Sequence, residues 1–109
     1  MEQSAVAMIF IEDRDFQKRC QGILSDDDLF ALMEWLAVHP SAGKIIPGAE
    51  GLRKLRWAAR GHGKRGGARV IYFWWMDDDK ILLLDIYAKA EREDLTTDDI
   101  KKLKRKTMP

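Results

Sequence analysis

Lys54 and Arg56 stand two residues apart, and Arg69 follows them across a glycine-rich segment, GHGKRGG. Held in one register on neighbouring strands, these three side chains would present their charges to a single point. Arginine grips phosphate with a planar fork, and lysine adds a compact charge. Such a set suits cleavage of a phosphodiester by an RNA's own 2′-hydroxyl. That reaction needs no metal when the protein stabilises the extra charge on the phosphorane, and each well-placed donor contributes ~3 kcal/mol. A phenol or amine among several cations has its deprotonated form favoured, which makes Tyr87 or Lys54 a candidate base. Lys89 adds a further cation just past Tyr87. Phe73 is a candidate platform for a splayed base, a contact worth ~1–3 kcal/mol.

The same pattern also describes a solvated strand face or a simple nucleic-acid patch. Between Gly51 and Trp75 there are seven arginines and lysines and no carboxylate, while the whole chain carries a formal charge of only +1. The 19 basic and 18 acidic residues are therefore segregated rather than scarce. A field depends on where charges sit, so a nearly neutral chain still presents a positive face to a polyanion. Arg53, Arg60, His62, Lys64 and Arg65 are the candidates for guiding that polyanion. His62 is also a candidate general acid, although a lone loop histidine is more often simply solvated. The GHGKRGG segment lacks the GK[ST] of a phosphate loop and lies between strands, not before a helix. Two separated histidines and one cysteine form no ligand set, so neither a metal nor another cofactor is expected.

The elements that must hold these residues follow from pattern. Ala7–Ile11 is a short apolar run bounded by charge and predicts a first strand. Phe16–Leu24 predicts a short helix. Ser25 caps a second one, with Asp26, Asp27 and Asp28 at the positive end of its dipole. Leu29, Leu32, Met33 and Leu36 give that helix its apolar face, and His39-Pro40 ends it. Ser41–Gly51 is expected to be loop. Leu52–Ala58, Ala68–Met76 and Lys80–Ala88 predict three strands joined by short turns, an antiparallel meander. Thr96 with Asp99 three residues on is a capping box for a last helix ending near Lys106. The order β-α-α-β-β-β-α predicts an α+β domain with the helices on one sheet face. Alternation places Lys54, Arg56, Arg69, Tyr87 and Lys89 on the open face. Leu55, Trp57, Val70, Tyr72, Trp74, Leu82, Leu84 and Ile86 are the expected core, with Arg53 on the side of Leu55.

Bulk properties set the frame. The 109 residues correspond to one domain, 1–109, since chains rarely divide below ~200 residues. With 46% hydrophobic and 34% charged residues the chain is globular. Its apolar runs fall short of the ~20 residues that cross a bilayer, and the N-terminus lacks a signal-peptide pattern, so a soluble cytoplasmic protein is expected. The single cysteine, Cys20, excludes an internal disulfide.

The stretch GLRKLRWAARGHGKRGGARVIYFWW, followed by ILLLDIYAKAEREDLT, resembles the RelE/HigB superfamily of type II toxins, in particular the HigB-type branch. The match spans the meander and the start of the last helix, about half the chain, while the N-terminal half agrees only in element order and length. The resemblance implies a RelE-like fold and a ribosome-dependent mRNA endonuclease. It also implies a cognate antitoxin, often with a helix-turn-helix domain, and partners in the ribosome and mRNA. The family's catalytic cations correspond here to Lys54, Arg56 and Arg69. Two departures stand out: Ala90, next to Lys89, occupies the place of a further arginine, and Thr96 that of a C-terminal tyrosine. The remaining chemistry then falls to Tyr87, Lys89 or His62. Two rivals remain at this point, a ParE-like toxin that poisons gyrase and a non-catalytic module that binds RNA or an acidic partner.

Overall fold

The computed structural model describes residues 7–58, 67–89, 91 and 94–108. Strand β1 (Ile9–Glu12) leads into helix α1 (Arg14–Cys20), which Asp13 caps by accepting from the Asp15 N–H at 3.0 Å. Helix α2 (Asp26–Val38) starts at Ser25, whose Oγ accepts from the Asp28 N–H at 3.1 Å. This satisfies one of the donors that every helix start leaves open, and the three aspartates complement the dipole there. Beyond Pro40 the chain forms a two-residue strand β2 (Lys44–Ile45), then β3 (Arg53–Trp57), β4 (Ala68–Trp75) and β5 (Lys80–Ala88). A short 3₁₀ turn, Met76–Asp78, joins the last two, and Asp79 closes it in the left-handed region at φ 51°. Aspartate is one of the few side chains that tolerate that conformation.

The sheet has five strands in the order β1-β5-β4-β3-β2. β1 runs parallel to β5 and all other pairs are antiparallel, so the predicted meander is extended at both edges. The edge strand β2 lies inside the segment expected to be loop. Only two residues long and punctuated by glycine and proline, it carries too little periodicity to register as a strand.

On one face, α1 and α2 bury Phe16, Leu32, Leu36, Val70, Tyr72 and Leu83 completely. Each such side chain contributes roughly 1.5–3 kcal/mol through removal from water. Helix α3 (Thr97–Lys106) packs on the opposite face, where Leu103 joins Leu52, Ile71, Leu82 and Leu84. The expectation that all helices share one face is thus corrected. Alternation leaves Ile71, Phe73 and Trp75 pointing away from α1 and α2, and an amphipathic helix is what covers them. The capping box that starts α3 forms as expected, with Thr96 and Asp99 exchanging hydrogen bonds at 2.9 and 3.1 Å. At its far end Lys106 Nζ donates to Asp13 at 2.7 Å and to Asp15 at 2.8 Å, tying α3 to the start of α1.

A second correction concerns β5. Ile71 pairs with Asp85 but the next residue, Tyr72, pairs with Leu83, so Leu84 is an extra residue, a bulge. The bulge reverses alternation along the strand. Leu82 and Leu84 therefore share a face with Tyr87, while Ile81, Leu83 and Ile86 form the main core. At the bulge, Asp85 accepts from the N–H of Ile86 at 2.8 Å and from the guanidinium of Arg19. That pairing satisfies the buried carboxylate where the ladder is interrupted.

Candidate active site

β3 and β4 are in register such that Arg56 lies directly opposite Arg69, and Arg69 in turn lies opposite Tyr87 on β5. One step along, Lys44 on β2 lies directly opposite Lys54. These four cations point to the face away from α1 and α2 because Leu55, Val70 and Tyr72 take the core side. Lys44, Lys54, Arg56 and Arg69, with Ala42 and Leu55, surround a pocket of about 260 Å³. Like charges placed directly across strands repel, each such pair working against sheet stability by up to ~1 kcal/mol. Two adjacent pairs of this kind concentrate positive charge on this face, and Asp94 offsets only part of it through Lys54 and Arg69.

Two devices hold the cluster in place. The buried Tyr72 hydroxyl donates to Pro40 O at 2.8 Å and accepts from the Gly43 N–H at 2.8 Å. Arg53 donates to Ser41 O at 3.0 Å and to Gly43 O at 2.9 Å. Together they staple residues 40–43 to β3 and β4 and so deliver Lys44 to the pocket. Glycine is required at position 43, since an added Cβ would come within 2.8 Å of the Tyr72 ring. At the start of β4, Gly67 adopts φ +56°, and a Cβ there would approach Trp57 O to 2.6 Å. Burial raises the Tyr72 phenol above its ordinary range, against the lowering effects of the Gly43 hydrogen bond and Arg53. It therefore remains a neutral donor.

A carboxylate also belongs to the cluster. Asp94 Oδ1 lies 3.1 Å from Lys54 Nζ and accepts from the Leu95 N–H at 2.8 Å. The backbone bond, then Lys54, then the nearby charge of Arg69, hold its carboxyl below the usual carboxylate range.

Of the residues predicted from sequence, Lys54, Arg56 and Arg69 are brought together. Tyr87 takes the expected register, but it is only 2% exposed beneath α3 and Leu95, with its hydroxyl shut off from solvent. The bulge explains this: by bringing Leu84 to the same face it makes the surroundings of Tyr87 apolar. Lys89 is exposed at the end of β5, where its N–H donates to Gly67 O at 3.2 Å, outside the pocket lining. Phe73 is not an open platform; it packs edge-on to Trp75 at 5.6 Å and beneath Gly51. Arg53 lies on the opposite face, occupied with the loop carbonyls. Arg60, His62, Lys64 and Arg65 lie outside the described residues. His39 stacks on Trp35 at 4.5 Å, closing the end of α2 as a packing residue.

Lys44 and Asp94 were not among the sequence candidates. The Ile45-Ile46 pair after Lys44 is the one local hint of a strand there. Nothing local marks Asp94, whose partner Lys54 is 40 residues away.

No protein-family model matches the chain. Among solved structures, it is similar to a double arginine-to-alanine mutant of the E. coli toxin RelE in the free state, with TM-score 0.58 and 12% identity. That match covers 95% of this chain and 100% of the other. The intact E. coli RelBE toxin-antitoxin complex also matches at TM-score 0.58 and 19% identity, over 79% of this chain and 100% of that one. At such identities the likeness is one of fold. The chain has the RelE-like α+β fold, with its cation cluster on the sheet face that also carries α3.

Proposed function

We propose that this protein is the toxin of a type II toxin-antitoxin pair and that it cleaves mRNA on the ribosome through the 2′-hydroxyl of the RNA. The observation that carries the reading is the pair of like-charge placements across the sheet, Lys44 opposite Lys54 and Arg56 opposite Arg69 in the register. Repulsion of this kind is relieved when an anion enters, and a phosphorane carries more negative charge than the diester it comes from. The cluster therefore favours the transition state over the ground state, which is the condition for rate acceleration. Arg69, between Arg56 and Tyr87 in the register, holds the scissile phosphate, and Lys54 and Arg56 stabilise the developing charge. Lys89, exposed at the end of β5, contacts RNA flanking that phosphate in this reading.

The RelE-like fold and the motif resemblance to HigB-type toxins support the same reading. They also support a cognate antitoxin, of helix-turn-helix type, that keeps the toxin inactive in the cytoplasm. Inducing the chain in cells and mapping mRNA ends tests the proposal. Codon-phased cuts that require translation, abolished by Arg69→Ala in a soluble folded protein, are the expected result. DNA-damage signalling without cuts would support gyrase poisoning instead. Neither effect would leave a binding module.

A further inference from the structure

Cleavage by a 2′-hydroxyl needs a group that takes its proton. Among the described residues, Tyr87 keeps its hydroxyl away from solvent, and the charged groups of the pocket lining are all cations. Asp94 differs from both. Its side chain is 66% exposed, and Oδ1 stands 3.1 Å from the ammonium of Lys54. A phosphate oxygen held by that ammonium lies beside the carboxylate, and the attacking 2′-oxygen is its near neighbour in the same nucleotide.

We infer that Asp94 is the catalytic proton acceptor of this site; the inference rests on the nuclease reading above. In the step, the 2′-O–H proton passes to the Asp94 carboxylate as the 2′-oxygen forms its bond to phosphorus. The bond from phosphorus to the 5′-oxygen then breaks, and that oxygen takes a proton from water. The products are a 2′,3′-cyclic phosphate and a 5′-hydroxyl. A carboxylate has about four acceptor positions, so its contacts with Lys54 and Leu95 leave capacity for the proton. Among the described residues, the charged groups that face Asp94 are Lys54 on β3 and, through its charge, Arg69 on β4. The Leu95 N–H, then Lys54 and Arg69, hold its carboxyl below the usual carboxylate range, so it is ionised at neutral pH. A carboxylate held in this way is a weaker base, but all of it is in the reactive form.

The test is single-turnover cleavage of mRNA on programmed ribosomes by the wild type, Asp94→Asn and Asp94→Glu. Asparagine retains an oxygen for the Leu95 N–H, and thermal melting checks that the fold survives. Asp94→Asn is expected to cleave about 100-fold more slowly or worse, the lower end of general-base effects. Its ribosome binding should be equal or tighter, because a negative charge has left a cation cluster. Asp94→Glu should recover part of the rate. The wild-type rate should stay flat from about pH 8 to 6, since an ionised carboxylate does not titrate there. Asp94→Asn cleaving at the wild-type rate overturns the inference and leaves the nuclease reading standing. So does a wild-type rate that falls tenfold per pH unit below about 6.5, the signature of a histidine base. A wild-type chain that leaves mRNA intact removes the nuclease reading and this inference together.

Discussion

The two faces of the sheet use the same strands for opposite purposes. Under α1 and α2, every inward position of β4 and β5 is apolar, and Phe16, Leu32, Leu36, Val70 and Leu83 are wholly buried. Under α3, the apolar set of Leu52, Ile71, Leu82 and Leu84 occupies only part of the face. The remainder carries Lys44, Lys54, Arg56 and Arg69 around an open pocket. The first face gains stability from each residue it contains. The second accepts two like-charge pairings across strands, one of them at the sheet edge, a cost that an anion can recover. Sites that break local rules of stability in an otherwise consistent fold are where function is expected.

If this contrast is right, the two faces should fail differently. Phe16→Ala, on the dry face, is expected to cost ~3–5 kcal/mol of stability through lost burial and the cavity left behind. Urea unfolding would show it as a lower midpoint, and any loss of toxicity would follow from loss of folded protein. Arg69→Ala should do the reverse. Its unfolding midpoint should stay close to the wild type, since the repulsion relieved at Arg56 is set against the attraction lost at Asp94. Cleavage should nevertheless fall about 10²–10³-fold, the effect of removing one preorganised donor, ~3–4 kcal/mol. A stable protein with undiminished cleavage would erase the distinction between the faces.

Tyr72→Phe links the two, because its hydroxyl sits in the dry core but positions the loop that delivers Lys44. Loss of its bonds to Pro40 and Gly43 should cost ~1–3 kcal/mol, since the Gly43 N–H loses its partner in the protein interior. A moderate drop in cleavage should accompany it as Lys44 loosens; unfolding and cleavage measured on one preparation would reveal both.

The smallest effect concerns the clamp between α3 and α1. The hydrogen bond from Lys106, then its charge, hold the Asp15 carboxyl below its ordinary range. Its contribution to stability is full above the ordinary carboxylate pKa and is lost as pH falls through the lowered one. Lys106 itself is raised: burial alone would lower it, but its hydrogen bonds to Asp13 and Asp15 outweigh that. Its contribution is full below the ordinary lysine pKa and is lost only as pH rises through the raised one. Melting followed from pH 7 to 3 should therefore show a small acid-side loss in the wild type. Asp15→Asn should show less of it.

Much of this is legible in the sequence itself. Ser25 and Thr96 begin their helices as their capping patterns predict, because the hydrogen bonds involved span only three residues. The boundaries of β5 follow the predicted Lys80–Ala88, where charge and turn residues end an apolar run. The positions of Lys54, Arg56 and Arg69 on one face were also legible, since β3 and β4 alternate without interruption across their pairing. The bulge at Leu84 was not. It arises from pairing with β4 and leaves no trace in the local pattern of ILLLD. From it follow the apolar surroundings that bury Tyr87.

The sequence by itself determined the elements, their caps and the sidedness of the three central cations, all of which depend on neighbours a few positions apart. Only the tertiary structure decided that α3 lies across the sheet from α1 and α2, and that Lys44 completes the cluster through β2. It alone brought the Asp94 carboxylate to Lys54. The reason is physical: caps and alternation are set by bonds along the chain. The Lys54–Asp94 contact joins residues 40 positions apart and exists only once β3 and the approach to α3 are packed on one face.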